Sequence, residues 1–200
     1  KTAYEIYQCD WSSDVCSSDL KYLPKAKLVF DHFHVIKLMN EKLTTLRRNL
    51  YRELTANMHR DVLKGVKWLL LKNPENLVQD EKTDERKRLN EALELNKPLA
   101  TAYYLKEDLR QFWNQSSATK AERFLDDWCR RADSSGIRVL QTMAKTLRTH
   151  RHGLLNWYAE PISSGPIEGI NNKIGALQRR AYGYRNYEHL KLRILTLHHA

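Results

Sequence analysis

Glu168 is the residue whose surroundings in the sequence most invite chemistry. It follows Pro161-Ile162-Ser163-Ser164-Gly165-Pro166, a turn that places Ser164 or Gly165 at a helix N-cap and Pro166 in the first turn. Ile167, Ile170, Ile174 and Leu177 then recur at helical steps, which predicts a helix over about 166–181 with these residues on its buried face. Glu168 lies off that stripe, and Asn171, Gly175 and Gln178 follow it along its own side. A carboxylate with amide neighbours and little bulk beside it has room for a metal ion and a phosphate. On spacing alone a structural role stays open, because an acid in a first turn also complements the helix dipole.

Three turns beyond Glu168 stand Arg179 and Arg180, followed by Tyr182-Gly183-Tyr184-Arg185. Glycine there permits a tight turn or a close backbone approach, and the tyrosines can pack against a sugar or a base. The whole chain carries 34 Lys and Arg against 24 Asp and Glu, a formal charge of +10. Residues 1–20 hold one Lys and four acids, so the remaining 180 carry +13. Charge of this sign favours a polyanionic partner, since basic side chains that neutralise phosphates release counterions. A basic protein without such a partner is the alternative. A second basic stretch, Ser134 to Ala159, contains no acid and includes Arg138, Lys145, Arg148, His150, Arg151 and His152. It reads equally as a solvated face or as a surface that tracks a nucleic-acid backbone.

The elements that must position these residues are mostly helices, as 7 Gly and 5 Pro in 200 residues suggest. Lys27-Leu28-Val29-Phe30 predicts a short strand ending at Asp31. Val35, Met39, Leu43, Leu46, Leu50 and Leu54 predict a long amphipathic helix after it. Met58, Val62, Val66 and Leu69 or Leu70 mark a second, ended by Asn73-Pro74. Further helices are expected over about Thr83–Leu95 and Pro98–Trp113. Another should open at a capping box, Thr119 to Glu122, and a last one should run from Ile137 to Thr149 after a break at Ser135-Gly136. Trp68, Trp113, Trp128 and Trp157 lie on or beside apolar stripes, where core packing is the ordinary role and base stacking the alternative.

No apolar run reaches the ~18 residues of a membrane helix, and no signal-peptide segment is visible. Three cysteines, Cys9, Cys16 and Cys129, give neither a disulfide framework nor a zinc site, which fits a reducing cytoplasm. Residues 1–20 read as a foreign segment. Asp10 to Leu20 repeats Ser-Ser-Asp without helical or strand period and resembles a translated sequencing adapter.

The run Gly165-Pro166-Ile167-Glu168-Gly169-Ile170-Asn171-Asn172-Lys173-Ile174, continuing through Arg179-Arg180 to Tyr182-Gly183-Tyr184-Arg185-Asn186, resembles the C-terminal signature of bacterial insertion-sequence transposases of the ISL-three family. Leu28-Val29-Phe30-Asp31-His32-Phe33-His34-Val35 resembles that family's strand-end motif, and Trp68 to Leu77 a block of its helical insertion. The three blocks stand in the family's order, and the resemblance covers residues 21–200.

The resemblance implies a mainly α fold: a truncated RNase H-like α/β catalytic domain with a large helical insertion over about 55–150. It also implies DNA strand cleavage and strand transfer by a DDE carboxylate triad holding Mg2+ or Mn2+. Glu168 matches the third acid and is the expected catalytic and metal-binding residue. The second acid falls at or near Asp10, inside the adapter-like segment, and the first belongs upstream of Lys1. Asp31 and His34 match an Asp-x-x-His pair beside the site; for His34, packing at a strand-to-helix junction is the alternative. Asp31 and Glu168 are expected to share one cleft. Asn171, Lys173, Arg179, Arg180, Tyr182 and Arg185 are the expected DNA contacts. The family further implies transposon-end and target DNA as partners, homo-oligomerisation of the complete protein, and a cytoplasmic, nucleoid-associated location. A chain lacking the upstream acids is expected to be inactive alone. The competing reading is a helical DNA-binding module without catalysis.

Overall fold

The computed structural model describes residues 6–7, 27–53, 57–78, 84–163 and 165–196, with the side chains of 6–7, 57–60 and 167–168 left out. Asp10 and the adapter-like segment lie outside the described residues. The chain divides into two units, Lys1–Pro161 and Ile162–Ala200.

The fold is mainly α. In the first unit β1 (Ile6–Tyr7) pairs in parallel with β2 (Lys27–Leu28), Ile6 opposite Lys27 and Tyr7 opposite Leu28. The ladder stops at Leu28, two residues earlier than the apolar run suggests. Val29 and Phe30 are buried but leave the ladder, because the Phe30 amide donates to the Gly153 carbonyl at 3.1 Å. Asn156 holds the same stretch by donating its side-chain amide to the Leu28 carbonyl at 2.9 Å.

Helix α1 (His32–Glu53) buries Val35, Met39, Leu43 and Leu46, the predicted stripe; Leu54 lies outside the described residues. Helix α2 (Asn57–Gly65) is shorter than expected. Val66, Leu69 and Leu70 are buried as the spacing demands, but on turns. Lys106, 1% exposed, donates to the Leu70 carbonyl at 2.8 Å and to that of Lys72 at 3.4 Å; Pro74 has no N–H to offer the Leu70 oxygen, so the ammonium takes that place. Pro74 opens a 3-10 turn, Pro74–Asn76.

Helix α3 (Glu85–Leu95) is capped by Asp84, and α4 (Lys97–Leu109) by Asn96, whose side chain accepts from the Leu99 amide at 3.1 Å. A 3-10 turn, Arg110–Asn114, carries the chain to α5 (Ala118–Ser134). The cap of α5 is Ser117, not Thr119, and accepts from Lys120 at 3.3 Å. The expected capping box is therefore not formed, and Glu122 instead pairs with Arg151 at 2.7 Å. Helices α6 (Arg138–Thr149) and α7 (Arg151–Asn156) complete the unit. Its core centres on Trp128, fully buried, whose indole N–H donates to the Leu105 carbonyl at 2.8 Å.

The second unit holds α8 (Gly165–Arg180) and α9 (Tyr187–Thr196). Its apolar stripe is not a buried face: Ile170 is exposed and Ile174 and Leu177 are only partly covered. A two-helix unit has too little apolar surface of its own to bury such a stripe. Among the described residues no helix is long and apolar enough to cross a membrane.

Candidate functional site

Asp31 stands at the junction between β2 and α1 and is 3% exposed. Its Oδ1 accepts from the Phe33 amide at 3.3 Å, so the carboxylate serves the first turn of α1 as an Asx-type cap. The same oxygen lies 2.7 Å from His32 Nδ1. His32, given no role of its own within the strand-end block, is thus a direct partner of the motif's acid. Only its adjacency to Asp31 could have revealed it. His34 is half-buried, with its ring edge-to-face against Phe33 at 5.8 Å, a packed position at a strand-to-helix junction.

Glu168 falls in the first turn of α8, on a helix that begins at Gly165. The Gly165 amide donates to Ser163 Oγ at 3.2 Å; Ser164 is outside the described residues, as is the Glu168 side chain. Asn171, Lys173, Arg179, Arg180 and Arg185 are all exposed. The helix ends in a Schellman motif, with Tyr182 N–H donating to Arg179 at 3.2 Å and Gly183 N–H to Gln178 at 3.0 Å. The left-handed cap position of that motif is usually glycine, yet here Tyr182 occupies it at φ 51°, with Gly183 following at φ 95°. A bulky residue in that region is strained, and Tyr182 gains no packing in return, since it is fully exposed.

Two arginines of the other basic stretch are neutralised. Arg148 reaches Asp133 at 2.5 Å, and Arg151 reaches both Glu122 at 2.7 Å and Asp126 at 2.8 Å. The acids that the stretch lacks in sequence are supplied by α5 across the helix pair. The tryptophans divide as well. Trp128 is core, but Trp68 is 66% exposed, with the Lys67 ammonium 4.1 Å from its ring centroid.

Among the described residues no three His, Cys, Asp or Glu side chains gather into a metal-binding group. Asp31, engaged with an imidazole and an amide, does not by itself offer the oxygen-rich shell that Mg2+ or Mn2+ takes.

A family model described as a transposase, of the DDE ISL-three type, matches residues 4–194. The transposase for insertion sequence element IS1001 of Bordetella parapertussis is 36% identical over 173 residues, 86% of this chain and 42% of that protein. The transposase for insertion sequence element IS1557 of Mycobacterium tuberculosis is 28% identical over 211 residues, 94% of this chain and 46% of the relative. The chain thus spans less than half the length of these curated relatives. No solved structure matches it. With three ordered motifs and a family match over nearly all its residues, the chain belongs to the ISL-three family of insertion-sequence transposases.

Proposed function

We propose that this chain supplies the C-terminal part of an RNase H-like catalytic domain that cleaves DNA at transposon ends and transfers the strands to target DNA. Helix α8 supports this best: one rigid element carries Glu168 in its first turn and ends in exposed Arg179, Arg180 and the strained, exposed Tyr182. At ~1.5 Å rise per residue, Glu168 and Arg179 are ~16 Å apart along the axis. A helix of that reach can present an acid to one phosphodiester while its basic end holds the backbone a few nucleotides away.

In this account Glu168 is the third carboxylate of the metal site, and Mg2+ or Mn2+ is the ion the family implies. Asp31 and His34 support the site from the start of α1. Asn171, Lys173, Arg179, Arg180, Tyr182 and Arg185 contact DNA. The exposed arginines bind phosphate, and Tyr182 packs on sugar or base. The complete protein acts as a homo-oligomer, and the 200-residue chain alone binds DNA without cleaving it.

The test compares this chain with a longer protein that includes the upstream acids, on DNA carrying the element's ends and with Mg2+ present. Binding by both and end-specific cleavage by the longer protein only is the expected result. Binding by both with cleavage by neither would favour the non-catalytic module.

A further inference from the structure

The turn from Ala181 to Asn186 separates two helices whose side chains are in phase. Ile174 and Leu192 stand 18 residues apart, as do Leu177 and Leu195 and, beside them, Lys173 and Lys191. Eighteen residues make five turns at ~3.6 residues per turn, so one helix running through the turn aligns each pair along its axis. Glu188, in phase with Ile170, is a charged exception. In the bent structure this stripe is interrupted and uncovered: Ile170, Leu192 and Leu195 are exposed. The turn itself is strained, with Tyr182 at φ 51° and fully exposed and Gly183 at φ 95°. Among the described residues the amides of Tyr184, Arg185 and Asn186 donate to no backbone carbonyl. Two devices oppose the strain and keep the bend. One is the pair of Schellman bonds to Arg179 and Gln178; the other is Asn186 Oδ1, which accepts from the Glu188 amide at 2.9 Å and the His189 amide at 3.2 Å.

We propose that residues 181–186 form a hinge, and that α8 and α9 join into one continuous helix when α8 engages DNA. Joining releases the strain at Tyr182 and gives the amides of Tyr184, Arg185 and Asn186 the carbonyls of Arg180, Ala181 and Tyr182. It costs the Schellman bonds and the Asn186 cap, so the two arrangements are close in free energy and a ligand that prefers one decides between them. DNA prefers the joined helix because Lys173, Arg180 and Lys191 then lie along one line. A duplex backbone held by the first two reaches Lys191 only if the helix is continuous. In the bent state Lys191 is exposed, and its nearest carboxylate, that of Glu188, is 4.0 Å away. DNA as the trigger rests on the reading of α8 given above; the hinge rests on the turn itself.

Amide hydrogen exchange at Tyr184, Arg185 and Asn186 tests this in the 200-residue chain, free and bound to a short DNA duplex. Gly183→Ala and Asn186→Ala shift the hinge without touching the residues assigned to DNA. An added Cβ at Gly183 meets nothing within 4 Å, so Gly183→Ala acts through the backbone alone: it disfavours φ 95° and favours a helix. Asn186→Ala removes the cap of α9. Each variant should raise protection of the free chain's 184–186 amides by about fivefold, the factor set by helix propensity or by one cap. DNA should raise it further, and each variant should bind the duplex up to about fivefold more tightly because more of the chain is already joined. Adding Lys191→Ala to Gly183→Ala should cancel the gain in affinity while leaving the gain in protection. DNA binding with exchange at 184–186 unchanged in both variants and in the complex would overturn the hinge and leave the DNA reading of α8 intact. Greater protection in the variants without tighter binding would overturn the coupling to DNA. Absence of DNA binding by every protein would overturn the DNA reading and, with it, this proposal.

Discussion

Phe30 and Gly153 fit against each other so closely that neither tolerates a larger neighbour. The Phe30 amide donates to the Gly153 carbonyl at 3.1 Å, and a Cβ built on Gly153 would lie 2.6 Å from two carbons of the Phe30 ring. This contact ties the strand end before Asp31 to α7. Gly153→Ala should therefore force the ring or the strand aside and cost about 1–3 kcal/mol, as overpacking of a core does. Gly169→Ala, where an added Cβ meets nothing within 4 Å, should instead be neutral or gain up to about 1 kcal/mol from helix propensity. Urea titrations of both variants check the contrast; equal midpoints would contradict it.

Lys106 is expected to be one of the most sensitive positions for stability. Its ammonium is buried, pairs with Glu107, holds two backbone carbonyls and lies 4.8 Å from the centroid of the Tyr103 ring. Burial lowers the Lys106 pKa, and burial also pushes the Tyr103 hydroxyl up to about 12. Lys106→Met keeps the volume but leaves two backbone carbonyls without their donor and Glu107 with Arg110 alone, so a loss of about 1–3 kcal/mol is expected in thermal or urea unfolding. A loss under about 0.5 kcal/mol would show that the turn at 66–72 needs no such clamp.

Stability should fall on mild acidification, partly through His150. Its ring meets Phe30 edge-on at 5.1 Å, and burial lowers its pKa from the ordinary 6.5. The unfolded chain then binds the proton more readily than the folded one. The contribution is complete above pH 6.5 and is lost as pH falls through the lowered folded value. Melting curves between pH 7.5 and 5 should show a smaller decline for His150→Gln than for the parent; identical slopes would contradict the assignment.

The helical pattern was readable because it rests on local periodicity: Val35, Met39, Leu43 and Leu46 all face the core as their spacing requires. What escaped depends on partners far along the chain. Lys106 reaches back 36 residues to the Leu70 carbonyl, and the cap of α5 falls to Ser117 while Glu122 is drawn to Arg151. The exposure of Trp68 and the half-buried state of Trp113 have the same origin, since side-chain type alone does not say which stripe finds a neighbour. The role proposed for Glu168 rests on its motif, whereas the His32 contact and the strain at Tyr182 arise only in the folded chain.

The two basic regions should behave differently toward DNA. Replacing Arg179 and Arg180 with Ala should weaken binding and reduce the slope of log K against log salt by about 2, because two phosphate contacts are lost. Replacing Arg148 and Arg151, which are engaged by Asp133, Glu122 and Asp126, should leave that slope unchanged. Its cost should be modest, about 1 kcal/mol or less of folding stability for each exposed pair. A reversed pattern, with the slope falling only in the second variant, would move the DNA surface to α6 and α7.

The most direct measurement is strand cleavage by the longer protein carrying Glu168→Gln, assayed beside DNA binding on the same substrate. The substitution keeps size and polarity and removes the charge that would hold a divalent cation. The account predicts that metal-dependent cleavage at the element ends is abolished while DNA affinity stays within about twofold, a change of roughly 0.4 kcal/mol. Undiminished cleavage by the Gln variant would contradict the assignment of Glu168 to the active site.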